Sequence, residues 1–151
     1  MTISTATPGA TIHYTLDGSD PTPTHGTAYT GPIDVTTSAM VRAMAFGPGL
    51  DPTPSVTHSY LFLADILTQA KAAQPPEYLW LGADYDMDPD VVNDPRYAGG
   101  IVDDLKAVPT LSIVTDVDHL FGPENGIYIH RSGRGVAWER PTSVELIRGD
   151  G

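Results

Sequence analysis

The chain has 151 residues, of which 40 % are hydrophobic, which allows one domain or two small ones with a modest core. Its 19 acidic residues outweigh its 8 Lys and Arg residues, so the formal net charge is −11. This charge argues against nucleic acid, which needs clustered basic residues, and against purely electrostatic binding to an anionic membrane. The absence of cysteine excludes disulfides, thiolate metal sites and cysteine nucleophiles.

Residues 1–62 contain strand patterns separated by turns rich in Gly and Pro. Apolar and polar residues alternate at 11–16 with the period of two that is typical of half-buried strands. A strand is also predicted at 39–46, where the larger side chains fall on one face and three alanines and a valine on the other. Further strands are predicted at 28–35 and 56–62. Roughly five or six short strands at this spacing predict a small antiparallel β-sandwich.

Residues 63–107 form a strongly acidic part, with three basic and nine acidic side chains. Helix propensity favours a helix over 64–73. A second helix is predicted to start with Asp94 as N-cap and Pro95 at its first position, and to end at Ala107. We therefore predict a loop-rich acidic connector with short helices.

Residues 108–151 return to strand patterns and predict a partial α+β segment. Strands are predicted at 109–115, 126–129 and 138–147. Asp116 is placed to cap a short helical turn at 117–121. The fold class predicted for the whole chain is mainly β.

Aspartates alternate in the connector at Asp84, Asp86, Asp88 and Asp90. Closely spaced carboxylates are ligands that Ca²⁺ prefers, and we take Asp84, Asp86 and Asp88 as the candidate metal ligands. An EF-hand loop starting at Asp84 would need Gly at its sixth position and Glu at its twelfth, where this chain has Pro89 and Pro95. A solvated acidic loop is the alternative that this mismatch favours.

Two other groups of residues suggest binding chemistry. Arg131, Arg134 and Arg140 lie near the glycines of a Gly-Arg-Gly sequence, which suggests a phosphate loop, although the third glycine of such a loop is missing and an exposed hairpin loop explains it more simply. Tyr78, Trp80 and Tyr85 are candidates for stacking on a sugar ring, with packing inside the connector as the alternative. Histidines have no ligand spacing and no Gly-x-Ser-x-Gly motif occurs, so no catalytic residue is predicted.

The sequence TISTATPGATIHYTLDGSDPT at 2–22 resembles the chitobiase/β-hexosaminidase C-terminal domain. YTGPI at 29–33 and VRAMAF at 41–46 fit the same pattern. The resemblance implies an immunoglobulin- or fibronectin-like accessory sandwich at 1–62, found beside catalytic or surface-bound domains of exported bacterial proteins. It carries no catalytic residues to this chain.

From about residue 64 onward the chain resembles the region that enters the CotH (spore-coat protein H) kinase domain. The resemblance rests on DYDMDPDVVN at 84–93, LKAVPTLSIV at 105–114, LFGPENGIYI at 120–129 and WERPTSVEL at 138–146. It implies an atypical protein kinase that uses ATP and a divalent metal. The family's catalytic aspartates are expected beyond Gly151, so residues 108–151 are expected to be the incomplete start of such a domain and to hold no cofactor of their own.

These observations predict a non-catalytic accessory module that orients downstream domains of the same protein outside the cytoplasm. The first residues have no signal-peptide pattern, and no apolar run approaches the roughly 20 residues of a membrane span. Two alternatives stay open: a module that binds carbohydrate or another surface polymer, and part of the nucleotide-binding lobe of a kinase.

Overall fold

The structure, a computed structural model, describes residues 1–69 and 86–149. Within these ranges the chain is mainly β, as predicted, with one four-stranded antiparallel sheet and one two-stranded antiparallel ribbon. No helix in this described part is long and apolar enough to cross a membrane.

The first sheet is built from four strands in the spatial order β2-β1-β3-β4. They are β1 (Thr11–Thr15), β2 (Thr27–Ala28), β3 (Ala39–Phe46) and β4 (Val56–Tyr60). The strand predicted at 28–35 is wrong beyond Ala28, because Pro32 has no N–H to donate to a sheet and Gly31 offers no side chain to pack. Residues 1–62 thus form four strands rather than five or six.

One face of this sheet is its buried face, and the alternation predicted for β3 is confirmed. Ala39, Val41, Ala43 and Ala45 are all buried, and Val41 is only 1 % exposed. Irregular backbone supplies the layer opposite the strands: Ile33 N donates to Met1 O at 2.9 Å, and the Met1 amine donates to Ile33 O at 2.8 Å. Burial of these small apolar side chains stabilises this packing by removing them from water.

Three short helices follow: α1 (Leu63–Thr68), α2 (Pro89–Val92) and α3 (Ile101–Ala107). The first predicted helix, over 64–73, is wrong beyond Thr68, because the backbone of Gln69 is extended with ψ of 127°; residues 70–73 lie outside the described residues. The second predicted helix begins at Ile101 instead of after Asp94, because Gly99 and Gly100 are poor helix formers and the chain before them stays in turns. Asp94 still caps those turns, since its Oδ1 accepts from Arg96 N at 2.9 Å.

The ribbon consists of β5 (Thr110–Val114) and β6 (Ser143–Ile147), with α4 (Val117–Phe121) between them. Asp116 caps α4 as predicted, because its side chain accepts from Asp118 N. The strand predicted at 126–129 is wrong. That segment is a turn, because Ile127 N donates to His119 O at 2.9 Å and Tyr128 N to Leu120 O at 2.9 Å, which folds it back onto α4.

A 3-10 turn, Val136–Trp138, occupies the start of the last predicted strand. Strand β6 therefore begins at Ser143, after Pro141, rather than at residue 138. Proline cannot donate to a ladder, which explains why pairing begins only beyond it.

Candidate functional site

Side chains from distant parts of the chain meet where β4 lies against the β5–β6 ribbon. We call this contact the inter-sheet seam. It consists of Thr57, Ser59, Ser112, Ser143 and Glu145.

The seam is held by hydrogen bonds between matched polar groups. Ser59 N donates to Glu145 Oε2 at 2.7 Å, and the Ser59 and Ser112 hydroxyl oxygens are 2.6 Å apart. The Thr57 and Ser143 hydroxyl oxygens are 2.7 Å apart. Strand β4 is the edge strand of its sheet, so Glu145 occupies a backbone donor that would otherwise be open to another strand.

The ribbon turns its polar face toward β4 and leaves its apolar face open. Because side chains alternate along a strand, Ser143 and Glu145 point to one side of β6 and Val144 and Leu146 to the other. Val144 and Leu146 are each 60 % exposed. Each polar group in the seam needs a partner at hydrogen-bonding distance. The seam therefore specifies one orientation of the ribbon, although it buries little apolar surface.

The turn between β1 and β2 makes a second contact with the ribbon and the helix after it. Gly18, with φ of +81°, lies so close to Val114 that a Cβ on the glycine would be 3.2 Å from Val114 Cγ1. Asp20 N donates to Asp116 Oδ2 at 3.4 Å, while the other oxygen of Asp116 caps α4. The sequence of this Asp-Gly-Ser-Asp-Pro segment predicted a tight turn and no contact with another part of the chain.

Arg42 fixes this turn to the sheet from inside. Its side chain is only 5 % exposed, and its Nη2 lies 2.6 Å from Asp20 Oδ1. Its Nη1 donates to Gly18 O at 3.1 Å, and its Nε to Ser55 Oγ at 3.2 Å. A buried guanidinium is tolerated because its charge is paired and its donors are satisfied. The sequence signal for this residue was a single cation inside an otherwise apolar strand.

Asp17 is held ionised by the same turn. The Ser19 hydroxyl donates to Asp17 Oδ1 at 2.6 Å and lowers the pKa of the carboxyl, against the opposing effect of partial burial. The Ser19 backbone N–H donates to the same oxygen at 3.0 Å and lowers the pKa further. Because the folded pKa lies below the ordinary value of 3.8, the stabilisation is present above that pH and is lost as the pH falls through the folded pKa.

We expect Ser19→Ala to raise the pKa of Asp17 toward its ordinary value, because the strongest lowering interaction is removed. A titration of the Asp17 carboxyl carbon by NMR, between pH 2 and 6, measures this. Thr22→Ala serves as the control, since that hydroxyl lies in the same loop and makes no contact with Asp17. An unchanged titration in Ser19→Ala would contradict this account.

Two of the three candidate metal ligands lie in the described part of the chain. Asp86 is exposed, whereas Asp88 is the N-cap of α2 and accepts from Asp90 N at 2.9 Å. Asp84 lies outside the described residues. Within the described ranges no three metal-ligating side chains come together. The calcium site therefore stays a prediction, and the role of Asp88 as a cap is a use of that carboxylate that needs no metal.

Two of the three arginines of the proposed phosphate loop, Arg134 and Arg140, donate to backbone carbonyl oxygens of nearby residues. Arg140 donates to Asn125 O through Nε at 2.9 Å and Nη2 at 2.6 Å, and to Ala137 O through Nη1 at 3.0 Å. Arg134 donates through Nη1 to the carbonyl oxygens of Arg131 and Gly133. With these donors engaged, the geometry favours an exposed, internally fastened loop over a phosphate site.

Packing of an aromatic ring holds the same loop together. Gly133 lies against the Trp138 ring so closely that a Cβ on the glycine would collide with it. The Arg140 guanidinium lies 5.4 Å from the centre of that ring. Gly133 therefore has a packing reason to lack a side chain, whereas nothing lies within 4 Å of a Cβ at Gly135, whose φ is +78°.

The candidate sugar-stacking residues, Tyr78, Trp80 and Tyr85, lie outside the described residues, so that hypothesis stays a prediction. The residues that sequence reasoning missed are those of the seam, together with Arg42 and Asp20. Serine and threonine on strands carry no signal of their own, because such residues are common on any exposed strand face.

Residues 1–60 match the family described as Fn3 associated. That part of the chain is therefore similar to an immunoglobulin- or fibronectin-like associated domain, and the match ends at Tyr60, the last residue of β4. No curated protein and no solved structure matches the chain.

Proposed function

We propose that this chain is a non-catalytic accessory module, in which the fibronectin-like sheet holds the following unit in one orientation. The observation that supports this most directly is the pair of separate contacts between the two sheets. In the inter-sheet seam, Ser59 of β4 is hydrogen-bonded to Glu145 of β6. In the turn between β1 and β2, Gly18 packs against Val114 of β5, and Asp20 N donates to Asp116, the N-cap of α4. Two contacts at different places oppose rotation about either one.

We propose further that the module works outside the cytoplasm, in an exported bacterial protein with a CotH-kinase-like domain as its downstream partner. Support comes from the Fn3-associated match at 1–60 and from the resemblance of residues 64–151 to the entry of that kinase domain. The finer resemblance of 2–22 to the chitobiase C-terminal domain agrees with a role beside other domains. In this proposal the module itself transfers no phosphate.

The orientation is testable by distance measurement, because the chain has no cysteine of its own. Spin labels at Thr30→Cys, an exposed position two residues after β2, and at Val144→Cys, on the exposed face of β6, report the separation of the two sheets by pulsed electron resonance. We expect a narrow distance distribution in the otherwise unsubstituted chain. We expect Glu145→Ala combined with Thr57→Val to broaden it, because these changes remove two of the seam's hydrogen bonds.

Glu139→Ala is the matched control, since Glu139 is an exposed acid on the same segment and its side chain has no partner in the described part of the chain. A broad distribution before any seam substitution would contradict a fixed orientation. Equal effects of the Glu139 and seam changes would contradict it as well. Phosphate transfer from ATP with Mg²⁺ by the purified chain would overturn the non-catalytic part of the proposal.

A further inference from the structure

A cavity of about 520 Å³ lies between α1, α3 and the end of β6. Its walls are apolar side chains from all three elements: Leu61, Leu63, Val102, Leu105, Val108 and Ile147. Small-molecule sites are typically concave, apolar and about 300–1,000 Å³ in volume. In size and lining the cavity fits that description.

The only charged residues among the described walls are two cations, Lys106 and Arg148. This is notable in a chain with 19 acidic residues and 8 basic ones. The Arg148 guanidinium has no hydrogen bond or ion pair with any residue in the described part of the chain. Lys106 Nζ lies 3.8 Å from Asp103 Oδ1, but that carboxylate is 86 % exposed, so the pair is weak.

Close backbone packing joins the two segments that carry these cations. Gly149 lies against the end of α3 so tightly that a Cβ there would collide with the Lys106 carbonyl oxygen. This contact joins the end of α3 to the residue after Arg148, and both Lys106 and Arg148 line the cavity.

We propose that this cavity binds an amphipathic carboxylate with a single alkyl chain, such as a medium-chain fatty acid. The alkyl chain lies along Leu105, Val102 and Ile147, where it leaves water. The carboxylate meets Lys106 and Arg148, and a carboxylate matches the two-pronged donor geometry of arginine. A neutral polar ligand would leave the walls without apolar contacts, and a cation would face two like charges.

Decanoate is the probe, used below its micelle concentration, with binding followed by calorimetry and by amide shifts in NMR. We expect saturable binding at one site, with the largest shifts at Val102, Leu105 and Ile147. Lengthening the acid from eight to ten carbons is expected to tighten binding up to about fourfold per added methylene, until the cavity is full. Decyltrimethylammonium, with the same tail and the opposite charge, is expected to bind at least about fivefold more weakly.

Two variants separate the roles of head and tail. Arg148→Gln is expected to weaken decanoate roughly fivefold and to leave decan-1-ol unchanged. Val108→Ser is expected to weaken both probes, and because Val108 is 65 % exposed, the substitution leaves folding intact. Arg131→Gln is the matched control, because it makes the same charge change on an exposed loop and Arg131 does not line the cavity.

Several results would overturn the proposal. These are no saturable binding of decanoate, equal binding of decanoate and decyltrimethylammonium, or equal effects of Arg148→Gln and Arg131→Gln. Shifts confined to the apolar face of the ribbon, at Leu111 and Leu146, would place the ligand elsewhere and would also overturn it.

Discussion

Arg42→Ala is expected to lower the free energy of unfolding by about 3 kcal/mol, the size typical of breaking a buried ion pair. Removing the guanidinium leaves the Gly18 carbonyl oxygen without its donor and Asp20 without its counter-charge. It also opens space beside the turn that contacts the ribbon. The free energy of unfolding, from urea denaturation followed by circular dichroism, measures this loss.

The matched control is Arg96→Ala. Arg96 also pairs with an aspartate, Asp94, but its side chain is 75 % exposed, so solvent screens the pair. We expect Arg96→Ala to change the free energy of unfolding very little. If Arg42→Ala costs no more than Arg96→Ala, Arg42 does not have the structural role assigned to it. A double-mutant cycle with Asp20→Asn separates the ion pair from the lost packing.

Gly18→Ala is expected to lower the free energy of unfolding by about 2 kcal/mol, from two separate causes. The first is the positive φ of +81°, a backbone conformation that alanine adopts only with strain. The second is steric, because the new Cβ would be 3.2 Å from Val114 Cγ1 and 3.4 Å from Met40 Cβ. The Val114 part of the second cause acts across the contact between the two sheets, whereas Met40 lies on β3 of the first sheet.

Gly9→Ala isolates the first cause. Gly9 has a similar φ of +73°, but nothing lies within 4 Å of the position of its Cβ. We expect Gly9→Ala to lower the free energy of unfolding by about 1 kcal/mol, which corresponds to the backbone strain alone. Val114→Ala in the Gly18→Ala background should recover part of the difference, because it removes the methyl group in the way. Equal losses at Gly18 and Gly9, by the same denaturation measurement, would show that the turn does not press on the ribbon.

Local sequence patterns were sufficient for much of the secondary structure. The alternation between Ala39 and Phe46 predicted the bounds of β3, because side chains on a strand point alternately to its two faces. Which face is buried was decided by the tertiary structure. Asp116 was recognised as a cap because a carboxylate at that position meets free backbone N–H groups nearby in sequence. The same pattern of an Asp cap followed by Pro occurs at Asp88-Pro89, where Asp88 caps α2. The alternating aspartates around it suggested a metal ligand instead.

The errors occurred where distant parts of the chain compete with local preference. The segment at 126–129 has strand-forming residues, but hydrogen bonds from Ile127 and Tyr128 back to α4 make it a turn. The helix expected after Asp94 starts late, because two glycines interrupt it before Ile101.

By itself, the sequence determined that the chain is mainly β and acidic, where its best-patterned strands run, and that its first part resembles an accessory sandwich. Only the tertiary structure decided the partners: Arg42 with Asp20, Ser59 with Glu145, Gly18 with Val114, and the two cations beside an apolar cavity. The physical reason is the distance along the chain over which each interaction acts. Strand alternation and helix capping act over a few residues, whereas Ser59 and Glu145 are 86 residues apart and meet only when both sheets are in place.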